Sequence, residues 1–259
     1  MLTSESLDIV CVTETWLKPC TPDSVIIADN SFTIFRKDRV DSQGGGVCII
    51  IKNANVKAVR VDIAAKFNDI DIVCIDIINS LQPIRLIACY RAPSSDTADD
   101  AVQCTKHFID CLLSICDVDS SILVVGDFNF PSIDWSDLKF LVDNNHCSAL
   151  FSVFTKQFCF EQLVTEHTRI QASCKSSILD LVLCNDPFIV SDVNVTASFS
   201  SSDHCSVNFN LVYPLQSAEL PEHQCRNFNE ADWDSITTFL NTYSRVGVIY
   251  KGFASRDVR

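Results

Sequence analysis

Short runs of β-branched and other apolar residues recur along this chain of 259 residues, and their number limits the folds that it can adopt. Each run is bounded by polar or turn-forming residues, which is typical of β-strands. The runs cover residues 7–13, 32–36, 46–52, 56–62, 71–78, 85–90, 121–126, 178–183, 193–199 and 204–213. Because helical spacing occurs in only two or three places, the pattern predicts an α/β sandwich of two mixed β-sheets flanked by helices.

The helical segments and a polar stretch suggest how the chain is organised. Apolar residues spaced by three and four follow Ala101, a second helix is expected at 148–158, and a third after Asp232. Residues 214–225 carry two prolines and two glutamates, which is typical of a linker. We therefore expect one domain over residues 1–213, and a linker with a short helix and a tail over 214–259.

Charge and cysteine content restrict the function classes. A net charge of −13 argues against a non-specific nucleic-acid binder with a basic face. Cleavage of a polyanion stays compatible with this charge if a metal and a few local cations contact the phosphates. The 14 cysteines include no Cys-x-x-Cys pair and lie in apolar runs, which favours reduced, buried thiols over disulfides or zinc. No signal peptide or membrane span is expected, so the predicted location is intracellular, nuclear or cytoplasmic, rather than secreted.

The polar residues after one predicted strand have the chemistry of a hydrolytic site. Asp127 and Asn129 follow Gly126, and an extended chain there would project both side chains to one side while Phe128 points inward. The carboxylate can hold or deprotonate an attacking water, and the amide can donate to a phosphate oxygen. A simple turn ahead of Pro131 is the alternative.

Two further segments place ionisable groups against apolar strands. Asp203 and His204 enter a strand, and an imidazole with an ordinary pKa of about 6.5 suits general acid or base chemistry. A histidine in such a place is commonly structural. Asp180 lies within the apolar run 178–183, where a carboxylate is costly unless an imidazolium or a metal accompanies it. A surface-facing aspartate on an edge strand is the alternative.

Three more candidates stand at strand ends. Glu14 follows the first predicted strand and offers a hard oxygen ligand for Mg²⁺, although it could instead begin a helical turn. Tyr90 ends a strand and Arg91 begins the next loop, so both could reach a phosphate. A tyrosine at a strand end commonly serves packing. The run 44–46, Gly-Gly-Gly, predicts a turn where the backbone bends or is closely approached.

Together and in this order, the motifs resemble those of the endonuclease/exonuclease/phosphatase superfamily, the deoxyribonuclease I-like enzymes. The matching segments are Glu-Thr-Trp-Leu at 14–17, Tyr-Arg-Ala-Pro at 90–93, Gly-Asp-Phe-Asn at 126–129, Leu-Asp-Leu-Val-Leu at 179–183 and Ser-Asp-His at 202–204. Pro131 to Trp135 extend the third motif as in endonuclease domains of LINE-type non-LTR retrotransposons. The resemblance covers about residues 5–213, and residues 225–233 are similar to the connector that precedes a reverse transcriptase in these elements.

The resemblance implies an Mg²⁺-dependent or Mn²⁺-dependent endonuclease that nicks DNA, without a small organic cofactor. In a complete element, it would be joined to a C-terminal reverse transcriptase domain. By resemblance, Glu14 and Asp203 would bind the metal, Asp127 would activate water and Asn129 would hold phosphate. Asp180 would orient His204, which would act as acid, base or electrostatic stabiliser. Tyr90 would contact the scissile phosphate, and Arg91 and Thr168 would contact substrate.

The sequence departs from the family at its beginning. The family normally starts with one more strand, which ends in an asparagine that helps to bind metal and phosphate. Met1 stands just before the strand that carries Glu14, so we expect this extra strand to be absent, a sheet edge to be unpaired and apolar surface to be exposed. Three alternatives stay open: a phosphatase of the same superfamily, an RNA nuclease, and a catalytically inactive remnant.

Overall fold

The structure is a computed structural model that describes residues 7–40, 44–93, 99–135, 146–170, 176–198, 202–212 and 232–243, with side chains described up to residue 238. The chain divides into two compact units, Met1–Gln216 and Ser217–Arg259. In the second unit, the described residues form one helix, Trp233–Tyr243. The predicted linker at 214–225, the connector up to residue 231 and the tail from 244 lie outside the described residues.

The described part of the first unit contains eleven strands and three α-helices. The strands are β1 (Ile9–Thr13), β2 (Phe32–Lys37), β3 (Val47–Lys52), β4 (Ala58–Arg60), β5 (Asp71–Ile77), β6 (Ile84–Tyr90), β7 (Ser121–Asp127), β8 (Glu161–Gln162), β9 (Asp180–Cys184), β10 (Val190–Thr196) and β11 (Ser206–Leu211). The helices are α1 (Asp23–Ile26), α2 (Asp99–Cys116) and α3 (Cys147–Gln157), and short 3₁₀ turns lie at Ala65–Phe67 and Pro187–Ile189.

A six-stranded mixed sheet forms the centre, in the order β4-β5-β6-β7-β9-β8. Only β6 and β7 run parallel; the other neighbours are antiparallel. A parallel pair needs a crossover connection, and the segment between β6 and β7 contains the long helix α2. Because both faces of this sheet are covered, its strands are continuous apolar runs, as in Val-Val in β7 and Leu-Ile-Ala-Cys in β6.

A second layer of strands packs on one face of the central sheet. It consists of a three-stranded sheet, β1-β3-β2, and a two-stranded sheet, β10-β11. Side chains of both small sheets, such as Ile49 and Val207, pack in one apolar cluster with Val73, Leu86 and Val125 of the central sheet. This confirms the predicted α/β sandwich. Among the described residues, β1 pairs only with β3 and β11 only with β10.

Helices α2 and α3 cover the opposite face of the central sheet. The buried side of α2, which includes Phe108 and Leu112, packs in a cluster with Phe128 and Phe151. The Phe151 ring stacks on Phe130, with 4.6 Å between ring centroids. Aromatic packing on the helix side of the central sheet thus fixes the segment that follows β7. The polar side chains of this segment lie at the ends of the strands.

Most strand predictions are confirmed, with small differences in length. The strand expected over 56–62 spans only Ala58–Arg60, and the short strand Glu161–Gln162 was not predicted. Seven of the described cysteines are buried and all of the described ones are free; burial raises the thiol pKa of Cys48 and Cys184 to about 11. No helix in the described ranges is both long enough and apolar enough to cross a membrane.

Candidate active site

Three of the predicted site residues lie side by side at one end of the central sheet. In the register of the strands, Tyr90 on β6 is opposite Asp127 on β7, and Asp127 is opposite Asp180 on β9. Neighbouring strands are about 4.8 Å apart, so the three side chains form a row across the sheet. This active-site row of Tyr90, Asp127 and Asp180 is the frame on which the remaining candidates are placed.

His204 joins the row at Asp180. The ring Nδ1 of His204 lies 2.8 Å from Asp180 Oδ2, and both side chains are partly buried. Backbone bridging between Arg169 and His204, together with a bond from the Cys205 N–H to the Thr168 carbonyl at 2.6 Å, fixes the segment that carries the ring. Asp180 therefore has an imidazole partner, and the alternative of a surface aspartate on an edge strand is wrong.

Asp127 and Asn129 are brought together by a turn. Asn129 has a φ of +49°, so the chain does not stay extended as predicted. The Asn129 backbone N–H donates to Asp127 Oδ1 at 3.1 Å, and its Nδ2 donates to Asp127 Oδ2 at 2.8 Å and to the Arg91 carbonyl at 2.9 Å. Phe128 is fully buried, as expected. The amide hydrogens of Asn129 are thus directed at Asp127 and the backbone.

Glu14 reaches the row through Tyr90. The Tyr90 hydroxyl donates to Glu14 Oε1 at 2.6 Å, and Trp16 Nε1 donates to Glu14 Oε2 at 3.2 Å. Glu14 has a φ of +51° and no helix follows it, so the alternative of a helical start is wrong. Tyr90 is buried and also donates to a carboxylate, so its position at the strand end serves both packing and the site.

Arg91 and Thr168 lie beneath the row, where neither side chain faces solvent. Arg91 is 7% exposed; its Nη1 donates to the carbonyls of Phe128 and Asn129, and its guanidinium lies 4.1 Å from the Phe130 ring centroid. Thr168 is completely buried. Both side chains are directed to protein groups, and direct contact of Arg91 or Thr168 with substrate stays a prediction.

The Thr168 hydroxyl has a clear structural partner set. Its Oγ1 accepts hydrogen bonds from the backbone N–H groups of Leu179 and Asp180, both at 3.0 Å. It therefore fixes the backbone from which the Asp180 carboxylate projects. Sequence reasoning could not assign this role, since the sequence does not tell which way a loop threonine points.

Asp203 is near the site but points to another partner. Its carboxylate accepts from Arg169 Nε at 2.8 Å, and its side chain is 42% exposed. The hydrogen bond from Arg169 lowers the pKa of Asp203. The predicted role as a metal ligand has no support from this arrangement, because Asp203 is not among the described residues whose ligand atoms converge.

Burial and close carboxylates perturb the ionisation of the row. Burial, and then the neighbouring Asp180, raise the pKa of Asp127 to about 7, against an opposing effect of His204. The hydrogen bond to Asp180 raises the pKa of His204. Burial, followed by the hydrogen bond to Glu14, raises the pKa of Tyr90 well above its ordinary value. Perturbed groups that lie close together in this way are typical of functional sites.

The donor set fits a divalent cation. One ligand atom from each of Asp127, Asp180 and His204 lies within 4.8 Å of the other two. Glu14 is connected to this group by the hydrogen bond that it accepts from Tyr90. Carboxylate oxygens are the ligands that Mg²⁺ prefers. A cation would also offset the repulsion between Asp127 and Asp180 that raises the Asp127 pKa.

Two residues that sequence reasoning missed extend the row past Tyr90. Asp71 begins β5 opposite Tyr90 and is 2% exposed. Arg39 Nε donates to Asp71 Oδ2 at 2.7 Å, and the guanidinium lies 5.7 Å from the Tyr90 ring centroid. An acidic residue in an apolar run, the signal that indicated Asp180, also marks Asp71.

The chain is similar to known proteins in part of its sequence and in its fold. Residues 84–208 match the family described as endonuclease-reverse transcriptase. No curated protein sequence matches the chain significantly. The solved endonuclease domain of TRAS1, a telomere-specific non-LTR retrotransposon, is similar with a TM-score of 0.57 and 15% identity, over 83% of this chain and 89% of that one.

Two other solved structures are similar over most of their length. An AP endonuclease from Archaeoglobus fulgidus has a TM-score of 0.59 and 14% identity, covering 81% of this chain and 91% of that one. A 3' phosphatase, NExo, from Neisseria, bound to a product DNA hairpin, has a TM-score of 0.58 and 13% identity, covering 82% and 91%. The structural neighbours are nucleases and phosphatases, and identities this low establish a shared fold.

Proposed function

The chain has the fold of the endonuclease/exonuclease/phosphatase superfamily, and from this premise we propose that it is a metal-dependent phosphodiester hydrolase that nicks DNA. The observation that carries the proposal is the convergence of Asp127, Asp180 and His204 within 4.8 Å. Glu14 is joined to the same site by the hydrogen bond that it accepts from Tyr90. Carboxylates, an imidazole and a phenol at one sheet end suit in-line attack of water on phosphorus.

Each residue of the row has a distinct part in the proposed reaction. Asp127 orients the attacking water and accepts its proton, and Asn129 keeps the Asp127 carboxylate in place through its amide. Asp180 holds His204 Nδ1, which leaves the opposite ring nitrogen to face a phosphate oxygen. A protonated His204 then stabilises the charge that develops on the phosphate.

Asp127 and Asp180, whose ligand atoms converge, would hold Mg²⁺ or Mn²⁺, and Glu14, to which the resemblance gives a metal-binding role, would join them. A bound divalent ion would neutralise phosphate charge and stabilise the leaving oxygen. The Tyr90 hydroxyl fixes the orientation of the Glu14 carboxylate by the 2.6 Å hydrogen bond. Tyr90 would therefore position a ligand and lie close to the scissile phosphate.

DNA is the proposed substrate class. The similar TRAS1 domain comes from a retrotransposon, and the similar NExo structure holds a product DNA hairpin. We further propose that residues 1–213 form the endonuclease domain and that, in a complete element, a reverse transcriptase domain follows it, which fits the matched family description. Action on cellular DNA would place the protein inside the cell, in the nucleus or the cytoplasm.

Nicking of supercoiled plasmid tests the proposal. Wild-type protein is expected to convert supercoiled plasmid to the open-circular form with Mg²⁺ or Mn²⁺, and not with EDTA. His204→Ala is expected to slow nicking about 10²–10⁴-fold, the range for loss of a general acid or base. His107→Ala is the matched control, because His107 also contacts an aspartate, with Nε2 3.1 Å from Asp69, but lies on α2.

The result that would contradict the proposal is undiminished nicking by His204→Ala, or equal losses in both histidine variants. Turnover on abasic plasmid, inositol phosphates and poly(A) separates the DNA endonuclease from a phosphatase or an RNA nuclease with the same chemistry. Absence of metal-dependent turnover on all three substrates by a folded wild-type protein would identify an inactive remnant.

A further inference from the structure

The glycine run at 44–46 carries side chains from two other parts of the chain. All three glycines have φ between +70° and +86°, a region that favours glycine. The Trp16 indole packs on Gly44, 3.8 Å from the place of a β-carbon. A β-carbon on Gly45 would overlap the guanidinium of Arg39. The run therefore provides a surface on which Trp16 and Arg39 both lie.

Two contacts with Asp71 hold the Arg39 guanidinium in a defined position. Its Nε donates to Asp71 Oδ2 at 2.7 Å, and its Nη2 contacts the same oxygen. Nη1 has no acceptor among the residues that the structure describes, and the Arg39 side chain is 26% exposed. Because Asp71 is opposite Tyr90 in the strand register, Arg39 stands at the end of the active-site row that is far from His204.

The row therefore has the His204 imidazole at one end and the Arg39 guanidinium at the other, with carboxylates between them. A nucleic-acid strand laid across the sheet end would meet His204 at the cleavage point and Arg39 one strand beyond Tyr90. The planar guanidinium fork of arginine matches phosphate oxygens. With a net charge of −13, such local cations are the means by which the protein can attract a polyanion.

Trp16 is exposed and lies on the same glycine run as Arg39. Trp16 is 61% exposed and has a backbone φ of +56°, and its Nε1 donates to Glu14 at 3.2 Å. An indole held by one edge beside the proposed metal ligand, with its ring open to solvent, suits stacking on a base. Such stacking is sequence-tolerant, because every base has a π-face.

We propose that Arg39 and Trp16 form a nucleotide subsite next to the scissile phosphate, in which Arg39 binds the neighbouring phosphate and Trp16 stacks on the attached base. The subsite rests on the proposed function, since its ligand is the strand that would be cut. It adds Arg39, which lies outside the five segments recognised in the sequence, to the substrate contacts, whereas Trp16 belongs to the first of those segments. The Gly44 to Gly46 run is the structural basis of the subsite.

Neutralising the arginine tests the phosphate contact. Arg39→Gln alone would leave Asp71 as a buried, uncompensated charge and destabilise the fold, so the test variant is Arg39→Gln with Asp71→Asn. We expect KM for plasmid nicking to rise about tenfold with kcat nearly unchanged, the pattern of a lost binding contact. In EDTA, the slope of log Kd for a DNA oligonucleotide against log salt should fall by about one.

The matched control is Arg85→Gln with Asp76→Asn. Arg85, on β6, pairs with Asp76, on β5, at 2.7 Å, and this pair lies near the end of the two strands that is opposite to Asp71 and Tyr90. The control variant should keep the wild-type KM and salt slope. Equal changes in both variants, or a wild-type salt slope and KM in the Arg39 variant, would overturn the phosphate contact.

Fluorescence tests the stacking contact. Binding of an oligonucleotide in EDTA is expected to quench tryptophan emission in the wild type, and Trp16→Phe should remove most of this quenching. Trp135, which packs on Phe151, stays in place in both proteins. Quenching that persists in Trp16→Phe would overturn the stacking role. If the wild type binds without nicking, and the Arg39 variant still lowers the salt slope, the hydrolase proposal fails and the subsite stands.

Discussion

Thr168→Val is the perturbation that most clearly separates support of the site from contact with substrate. Valine keeps the shape of threonine but removes Oγ1, the acceptor for the N–H groups of Leu179 and Asp180 at 3.0 Å. A buried donor left without a partner costs about 1–3 kcal/mol. Asp180 is only half-buried and can recruit water, so we expect a total loss of about 2–4 kcal/mol in the free energy of unfolding.

Equilibrium unfolding in urea, followed by fluorescence, measures this loss, and Thr168→Ser is the matched control. Serine keeps the oxygen and loses one methyl group, which costs about 1 kcal/mol. The valine variant should therefore be the less stable of the two and should also nick DNA more slowly, because Asp180 and His204 shift together. A loss below about 0.5 kcal/mol for valine, or a larger loss for serine than for valine, would refute the reasoning.

Two further predictions concern stability. Gly126→Ala should lower the free energy of unfolding by about 2–5 kcal/mol, because Gly126 has a φ of +139° and a β-carbon there would overlap the Cys89 carbonyl. An unchanged urea midpoint would contradict the close approach of the Cys89 carbonyl to Gly126. In EDTA, wild-type stability should fall as pH rises from about 5 to 8. The folded pKa of Asp127, about 7, and that of His204 both lie above their unfolded values, so both groups take up protons on folding. Asp127→Asn should flatten the lower part of this pH profile. A wild-type stability that rises with pH would refute the uptake of protons by Asp127 and His204 on folding.

The fold was predictable because burial and strand geometry leave a direct mark in the sequence. A strand covered on both faces must be a continuous apolar run, so β6 and β7 stand out from their flanks. A polar residue where such a run ends, as with Asp127, marks the sheet end at which a site can form. The register that places Tyr90, Asp127 and Asp180 in one row depends on tertiary pairing, which no single segment contains.

The direction of loop side chains was not predictable. Arg91 and Thr168 lie next to strands in the sequence, as surface residues do. Arg91 nevertheless packs on Phe130, and Thr168 accepts a hydrogen bond from the backbone of Asp180. Arg39 lies in a charged segment with no periodic pattern, and its position follows from contacts with Asp71, a residue far along the chain. Long-range packing decides such orientations, and local sequence does not encode it.

A double-mutant cycle between Glu14 and His204 tests the convergence of the separate segments on one phosphate most directly. Plasmid nicking would be measured for Glu14→Gln, His204→Ala and the variant with both changes, each confirmed to fold by circular dichroism. Residues that act as one catalytic unit show strongly non-additive losses, so the double variant should nick about as slowly as the slower single variant. Losses that multiply, as for independent sites, would contradict the convergence of Glu14 and His204 on a single site.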